Sequence, residues 1–389
     1  MTAPADVTPV TGRGGRRPRV LQVVQRFFPE MGGLETHVAE VASRLAATGE
    51  FDLTVLATDR SGTLPRSETV AGLDVVRRRS YPREGDLYLS PGLPAVVARG
   101  DWDLVHVQGV NTLTPPLAML AAVASRTPFV LTFHSGGHSS SRRTAMRDTQ
   151  YRVLAPLLRR AQRLVAVSRF ERSAFAAVTG LPEDRFSVIP NGGALPPSPS
   201  GASPVPGRIV SSGRLERYKG HHRVVDALPL VRARVPGATL VVLGAGPFEG
   251  ELRARAASLG VADAVTIRSL PPADRAAMAQ ELSAAGVMAA MSDYEAHPVG
   301  VMEAVTLGLP VVGADVAGIG DLVEDGLVRG IAPDSSPQAL ADALVAELQA
   351  VAARGGTPHQ PRALDLPTWE TSAAATAEVY RTALRAVRR

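Results

Sequence analysis

The chain has 389 residues, 45% hydrophobic, 20% charged and 4% aromatic, a globular balance that excludes wholesale disorder and suggests two or three domains. It has no cysteine, which removes disulfide frameworks, thiolate zinc sites, iron–sulfur clusters and cysteine nucleophiles; no apolar run reaches the roughly 18 residues that span a bilayer. The net charge of +5 is uneven: residues 1–192 carry 24 Arg against 17 acids, net +7, and residues 193–389 are net −2, so two domains with different partners are expected.

Residues 1–17 are small, polar and Pro/Gly-rich, and are expected to be disordered. Arg16-Arg17 is a twin arginine, but no leader-type apolar segment follows, so a cytoplasmic location is expected. From Arg19 on, short apolar runs alternate with amphipathic stretches. Arg19–Gln25, Leu53–Ala57, Leu104–Val107, Phe129–Phe133 and Leu164–Val167 read as buried strands, and Leu34–Ala47 has helical periodicity. Residues 193–207 are the clearest linker, rich in Pro, Ser and Gly. The alternation then restarts, with Arg208–Ser212, Thr239–Leu243, Ala264–Ile267, Gly286–Ala289 and Pro310–Gly313 as strands. Residues 371–389 read as a closing helix, basic at its end. The expected fold is therefore α/β, with two doubly wound Rossmann-like domains, 18–192 and 208–370, facing across a cleft. Ligands of such sheets sit at the carboxyl ends of the strands.

Three motifs fall at those ends. Gly32-Gly33, with Glu35 and His37, follows the first strand and opens the first helix. Two glycines let a ligand approach the backbone, and the helix start offers N–H groups to an anion; a tight turn is the plainer reading. The spacing is not the glycine fingerprint of a nicotinamide dehydrogenase, which excludes that class. Ser212 to Gly220 holds Arg214 and Lys219. Lys219 is the one lysine among 41 arginines, as if this site requires a compact ammonium; a fork and a point charge together suit a diphosphate, against the alternative of two solvated cations. Glu295 and Glu303 have seven residues between them. If Val299 begins a helix, Glu295 precedes it and Glu303 lies one turn in, where the pair can accept from two sets of hydroxyls, or serve only as a capping and a surface acid.

In order and placement these segments resemble the retaining glycosyltransferases of family 4, which have the GT-B fold. The Gly-Gly loop, Gly213 to Gly220, the E-x7-E element and Gly308-Leu309-Pro310-Val311-Val312 carry the match. Phe133-His134, Val167-Ser168, Pro190-Asn191-Gly192 and Gly244-Ala245-Gly246-Pro247 extend it from about Arg19 to the last helix. The resemblance implies transfer of a sugar from a nucleotide-diphosphate sugar, UDP- or GDP-linked, to an acceptor hydroxyl. Arg214 and Lys219 would bind the diphosphate and stabilise the departing nucleotide, with no metal and no other cofactor. Glu303 would accept from the ribose and Glu295 from the donor sugar. Backbone N–H groups at Gly32 and Gly33, and after Glu295 at Ala296, His297 and Val299, would touch phosphate or sugar. Gly244, Gly246 and Leu270 would line the nucleoside pocket, and His134 would sit over the sugar. Retention by front-face attack, with the leaving phosphate taking the acceptor's proton, needs no enzymic nucleophile.

The sequence departs from the family where Glu-Gly-Phe-Gly is usual: here it reads Glu295-Ala296-His297-Pro298, and Pro298 has no N–H. Ala296 lacks a glycine's freedom at positive φ, and a usual glycine pair is Ala317-Gly318. These changes bear on which sugar is carried. A sugar-nucleotide epimerase of the same fold is disfavoured by the E-x7-E context, and a non-catalytic nucleotide-sugar binding module by retention of all four charged residues. Asp101-Trp102-Asp103 has the metal signature of a different transferase fold, but is read as capping the strand at Leu104, away from the site. The basic stretch Arg142, Arg143, Arg147, Arg152, Arg159, Arg160 and Arg163 reads either as a solvated helix face or as contact with an anionic acceptor or the inner membrane surface. Nucleic acid is disfavoured, because few aromatics interleave with the basic residues. The polar loop 136–143 suits a sugar, lipid-linked or small-molecule acceptor, and the GC-rich, actinobacterial-type composition fits envelope or secondary-metabolite chemistry.

Overall fold

The computed structural model describes residues 11–85, 87–135, 141–196, 203–271, 274–355, 357 and 366–387, without side chains for 141–146. Of the loop expected at 136–143, residues 136–140 lie outside the described residues, as do the Arg142 and Arg143 side chains and linker residues 197–202, and 141–143 open a helix instead of continuing the loop. Two compact units are found, one within Met1–Ser135, Arg147–Pro190 and Trp369–Arg389, the other within Gly136–Met146 and Asn191–Thr368.

The first unit's strands are β1 (Arg19–Val23), β2 (Asp52–Asp59), β3 (Ser67–Val70), β4 (Leu73–Arg79), β5 (Leu104–Gln108), β6 (Phe129–Thr132), β7 (Arg163–Ala166) and β8 (Phe186–Val188). They form one sheet in the order β3-β4-β2-β1-β5-β6-β7-β8, parallel except at β3–β4. Its helices include α1 (Gly33–Ala47), α2 (Leu93–Arg99), α3 (Thr114–Ala124), α4 (Ser141–Leu158) and α5 (Arg169–Thr179). The strands are buried on both faces, yet β1 and β5 alternate in polarity. Leu21, Val23, Val105, Val107, Leu131 and Phe133 join the apolar core beside α2 and α3. Gln22, His106, Gln108 and Thr132 are also buried, and by the period-two rule share the opposite face. Lateral pairing of Gln22 with His106 and of Gln108 with Thr132 brings them together.

The second unit's strands are β9 (Arg208–Ser212), β10 (Thr239–Leu243), β11 (Val265–Arg268), β12 (Val287–Ala290), β13 (Val311–Ala314) and β14 (Arg329–Ile331). Their order is β11-β10-β9-β12-β13-β14, all parallel. Helices α6 (His221–Arg234), α7 (Glu249–Ser258), α8 (Arg275–Ser283), α9 (Val299–Thr306), α10 (Ala317–Glu324) and α11 (Pro337–Ala353) supply its covers. Ile209, Leu240, Val242, Val287 and Ala289 pack on one face, and Val210, Val241, Leu243 and Met288 on the other. That two-sided burial is why strands such as Val287–Ala290 and Val311–Ala314 read as unbroken apolar runs.

The final helix, α12 (Trp369–Ala386), belongs to the first unit, where it packs on α1. Its buried stripe includes Trp369, Ala373, Thr376, Ala377, Tyr380 and Leu384. Residues 11–17 depart from the expected disorder. Arg13–Gly15 forms a short turn, the Arg13 amide donates to Asp103 at 3.0 Å, and Arg16 Nη1 donates to Asp103 Oδ2 at 2.6 Å. Asp103 also accepts from the Arg19 amide at 2.8 Å, so the D-x-D acids secure the amino ends of β1 and β5. Among the described residues no helix is long and apolar enough to cross a membrane.

Candidate functional site

Strand order reverses direction between β9 and β12, so the loops leaving their carboxyl ends part and form a crevice. The loop after β9 carries Arg214 and Lys219, and the loop after β12 carries Ser292 to Pro298. Gly220, at φ +71°, draws the two together: a Cβ there would stand 1.8 Å from the Met291 carbonyl oxygen. The Asp293 amide donates to the Tyr218 carbonyl at 2.7 Å. Across this seam Lys219 Nζ donates to Glu295 Oε1 at 2.5 Å, and Ser292 Oγ donates to the same oxygen at 2.8 Å. Both side chains are largely buried, at 17% and 15% exposure. Burial, the largest single influence on Lys219, opposes its charge, but Glu295 and Tyr218 together outweigh it and the ammonium holds its proton above the ordinary lysine value. Arg214 is 53% exposed, with Tyr218 Oη at 3.4 Å and Glu216 at 3.7 Å.

Helix α9 begins at Val299, so the condition set by the sequence is met: Glu295 lies on the loop and Glu303 one turn in. Glu303 is buried and ion-paired with Arg275, the first residue of α8. Pro298 precedes α9 without a side-chain cap, and the amides of Val301 and Met302 fold back on its carbonyl at 3.1 Å. The first-turn N–H groups of Val299 and Gly300 therefore remain available to a ligand. Asn191 Nδ2 donates to the His297 carbonyl at 2.7 Å, and the Gly318 amide to the Glu295 carbonyl at 2.8 Å. A Cβ on Gly318 would lie 1.7 Å from the Ala296 carbonyl oxygen, which dictates glycine. Ala296 itself is not at positive φ, so its missing glycine costs no strain; Ala317, at φ +48°, does occupy glycine's region.

Gly244 and Gly246 press on the loop after β9: Cβ atoms there would stand 1.9 Å from the Gly213 and 2.5 Å from the Leu215 carbonyl oxygen. The Gly244 amide donates to the Arg268 carbonyl at 2.9 Å, beside the stretch that leads to half-buried Leu270. Backbone packing thus requires these glycines whether or not a nucleoside lies beside them. His221, next to Gly220, is buried with its Nδ1 2.8 Å from Ser211 Oγ, and burial lowers its pKa to about 4.

The first unit has its own reversal, between β1 and β5. Gly32 caps α1 with no side-chain bond, and a Cβ on Gly33 would meet nothing within 4 Å. Glu35, fully buried in the first turn, takes the Arg26 guanidinium at 2.8 Å. His134, just past β6, sits 2.9 Å by its Nε2 from Gln108 Oε1, and its ring stacks edge-on to His37 at 4.7 Å between centroids. Burial, then His37 and His106, push its pKa well below the ordinary histidine value. Glu171 accepts from the Ser135 amide at 2.8 Å, Ser135 Oγ at 2.6 Å and the Val167 amide at 2.8 Å, clamping the residue after His134. Ser168-x-x-Glu171, a helix-start signature with Ser168 Oγ accepting from the Glu171 amide, is the signal that points to it. Sequence reasoning gave no role to Ser292 or Asn191, which lie within its motifs, and passed over Arg275, Gln108 and Glu171. Of the basic stretch, Arg163 is committed to the Asp184 carbonyl and Ser187, while Arg152, Arg159 and Arg160 are exposed.

Residues 31–193 match the family model for glycosyltransferase family 4, and residues 206–350 that for glycosyl transferases group 1. The chain is 30% identical over 345 residues to the phosphatidyl-myo-inositol mannosyltransferase of Mycobacterium leprae, covering 85% of this chain and 87% of that one. It is 29% identical over 402 residues to the glycogen synthase of Mycobacterium tuberculosis, covering 95% and 96%. The crystal structure of Anabaena HepE with UDP and glucose superposes with a TM-score of 0.69 at 21% identity, over 95% of this chain and 98% of that one, which shows the shared GT-B fold.

Proposed function

Since the chain belongs to glycosyltransferase family 4 and is a nucleotide-sugar-dependent glycosyltransferase, we propose that it moves a sugar from a UDP- or GDP-sugar to an acceptor hydroxyl, with retention and without a metal. The observation that carries this reading is the half-hidden Lys219–Glu295 pair at the strand-order reversal of the second unit. Placing an ammonium there is costly unless an anion shares the site. The donor diphosphate replaces Glu295 as the partner of Lys219, with Arg214 adding a fork from the exposed side of the same loop. Glu295, released, accepts from hydroxyls of the donor sugar. Glu303 exchanges Arg275 for the ribose diol. The Val299 and Gly300 amides complete the phosphate cradle at the positive end of α9.

In the reaction the bond from the anomeric carbon to the phosphate oxygen breaks. The acceptor oxygen bonds that carbon on the same face, and the acceptor proton passes to the departing phosphate oxygen. Lys219 and Arg214 stabilise the charge that gathers on this phosphate, so the electrophilic work falls to protein cations. His134 serves the transferred sugar near the reacting carbon. The HepE complex supports a uridine donor and the mannosyltransferase relative supports a lipid-linked acceptor; exposed Arg152, Arg159 and Arg160 suit an anionic membrane surface beside such an acceptor.

The test is thermal unfolding with UDP, GDP, ADP and their sugars, each with and without EDTA. One nucleotide family at 100 times its dissociation constant should add about 2.7 kcal/mol of stability, with EDTA indifferent. No stabilisation by any nucleotide would overturn the reading, and stabilisation abolished by EDTA would overturn metal independence.

A further inference from the structure

The polar face of the first sheet carries a continuous run of hydrogen bonds. His134 Nε2 lies 2.9 Å from Gln108 Oε1, and Gln108 Nε2 lies 2.8 Å from Gln22 Oε1. Gln22 Nε2 lies 3.1 Å from Tyr380 Oη, which lies 2.7 Å from His106 Nδ1. His106 Nε2 then lies 2.7 Å from Thr132 Oγ1. Gln22, His106, Gln108, Thr132 and Tyr380 are each at most 1% exposed, so water offers no alternative partner. Strands β1, β5 and β6, with His134 just past the end of β6, supply every member but one. The exception, Tyr380, comes from α12 at the far end of the chain.

We propose that Tyr380 is a positioning residue: through Gln22 and Gln108 it fixes which ring nitrogen of His134 carries the proton, and it locks that choice to the tautomer of His106. The proposal rests on the reading above, in which His134 serves the transferred sugar.

The argument is one of donors and acceptors. An amide presents an acceptor at one end and donors at the other, a neutral imidazole has one donor and one acceptor, and a phenol has one proton. With the amides oriented as found, His134 Nε2–H donates to Gln108, Gln108 to Gln22, Gln22 to Tyr380, Tyr380 to His106 Nδ1, and His106 Nε2–H to Thr132. Every link runs the same way. Reversing one link sets two donors or two acceptors face to face or, at Tyr380, leaves the phenol proton without an acceptor in a dry interior, so reversing all the links together is favoured over reversing one. Both imidazoles are held neutral by burial, His106 with a pKa of about 3, so neither escapes by taking a second proton. Thr132 tolerates either direction, since a hydroxyl both donates and accepts. Gln108 Nε2 also lies 3.4 Å from each ring nitrogen of His106, but Tyr380, at 3.1 Å from Gln22 and 2.7 Å from His106, is the closer junction at which the amide half of the run meets that ring. In the observed direction Nδ1 is the nitrogen of His134 left to accept from a sugar or acceptor hydroxyl.

The experiment is nitrogen NMR of the full-length protein carrying 15N-histidine, whose ring shifts separate the two neutral tautomers. In the wild type, His134 and His106 should each show a single tautomer with the proton on Nε2. Tyr380→Phe, which does not touch His134, should turn its ring signals into an average of both tautomers. Turnover should fall about tenfold, with the donor KM within twofold of wild type. Gln22→Leu cuts the run one link closer and should produce the same averaging, and the double variant should lose no more turnover than the worse single one. The second variant also carries the test if Tyr380→Phe does not fold. A single unchanged His134 tautomer in either folded variant would overturn the proposal, as would wild-type His134 protonated on Nδ1. Averaged tautomers with unchanged turnover would overturn its functional half. The ring signals are read without donor, so a failure of nucleotide binding would strike the transferase reading and leave the tautomer result standing.

Discussion

Each unit reverses its strand order once, and the two reversals are furnished differently. In the second unit charges dominate: Lys219 with Glu295, Arg275 with Glu303, and Arg214 exposed beside them. In the first unit Arg26 with Glu35, Arg60 with Glu30 and Arg77 on the Phe28 carbonyl hold the loop after β1, while the side chains linked to His134 are neutral: Gln108, Gln22, His106 and Tyr380. A charged crevice whose charges are mutually satisfied suits a ligand that substitutes one partner for another. A neutral network whose links all run one way suits a surface that must hold a group in one orientation. The same architecture thus supplies electrostatic strength at one reversal and orientation at the other.

The contrast breaks most decisively at Lys219. Lys219→Ala removes the diphosphate's partner and leaves Glu295 without its ammonium, and should lower kcat/KM on the order of 100-fold, about 3 kcal/mol, in steady-state assays. Turnover equal to wild type would show that the crevice charges serve packing alone.

Acid probes each unit through its own buried ring, His106 in the first and His221 in the second, with pKa values near 3 and 4. Below about pH 6.5 the unfolded chain takes a proton that the folded ring refuses. Their stability contribution is therefore complete above pH 6.5 and is lost as pH falls toward those values. Each ring should cost about 2 kcal/mol by pH 5, read as the urea midpoint against pH. His134 is also depressed, so the first unit should unfold first; the reverse order would remove its histidine cluster from the contrast.

A smaller effect sharpens the charged side. Glu303→Gln keeps the shape and removes the charge that Arg275 answers, so the donor KM should rise about tenfold, about 1.4 kcal/mol, with kcat little changed. A kcat loss without a KM change would place Glu303 nearer the chemistry than the ribose. Smallest of all, Glu370→Ala removes a 2.7 Å ion pair with Arg44 that is two-thirds exposed on the glutamate side. It should change stability by less than about 1 kcal/mol in denaturant melts, because α12 is held by its buried stripe and Tyr380 and not by surface ions.

The strands were legible wherever both faces are covered, because largely apolar runs such as Thr239–Leu243 and Val287–Ala290 stop where the sheet stops. The β3–β4 hairpin was not. It sits at the edge, reads as polar Ser67–Val70 and arginine-ended Leu73–Arg79, and turns through Ala71 at φ +52° and Gly72 without a strong turn pair. In the crevice, Glu295 and Glu303 could be placed because their spacing is local. Their partners could not: Lys219 lies 76 positions from Glu295, Arg275 28 from Glu303, and Asn191 106 from His297. The neutral network was hidden differently. Val105-His106-Val107-Gln108 reads as a buried strand by its valines, and the alternation of its polar residues reports a second interior face only once something is known to cover it.

What covers it arrives last. Gln22 and Tyr380 are separated by 358 positions, and between them the chain makes the whole of Asn191–Thr368. On a ribosome adding roughly 5–20 residues per second, β1 and β5 emerge and then wait on the order of ten seconds or more for the helix that seals them. During that wait the amides and imidazoles of the sheet remain hydrated, while the later-made unit has all its strands in hand within Asn191–Thr368. The half of the protein born first is therefore the half that finishes folding second.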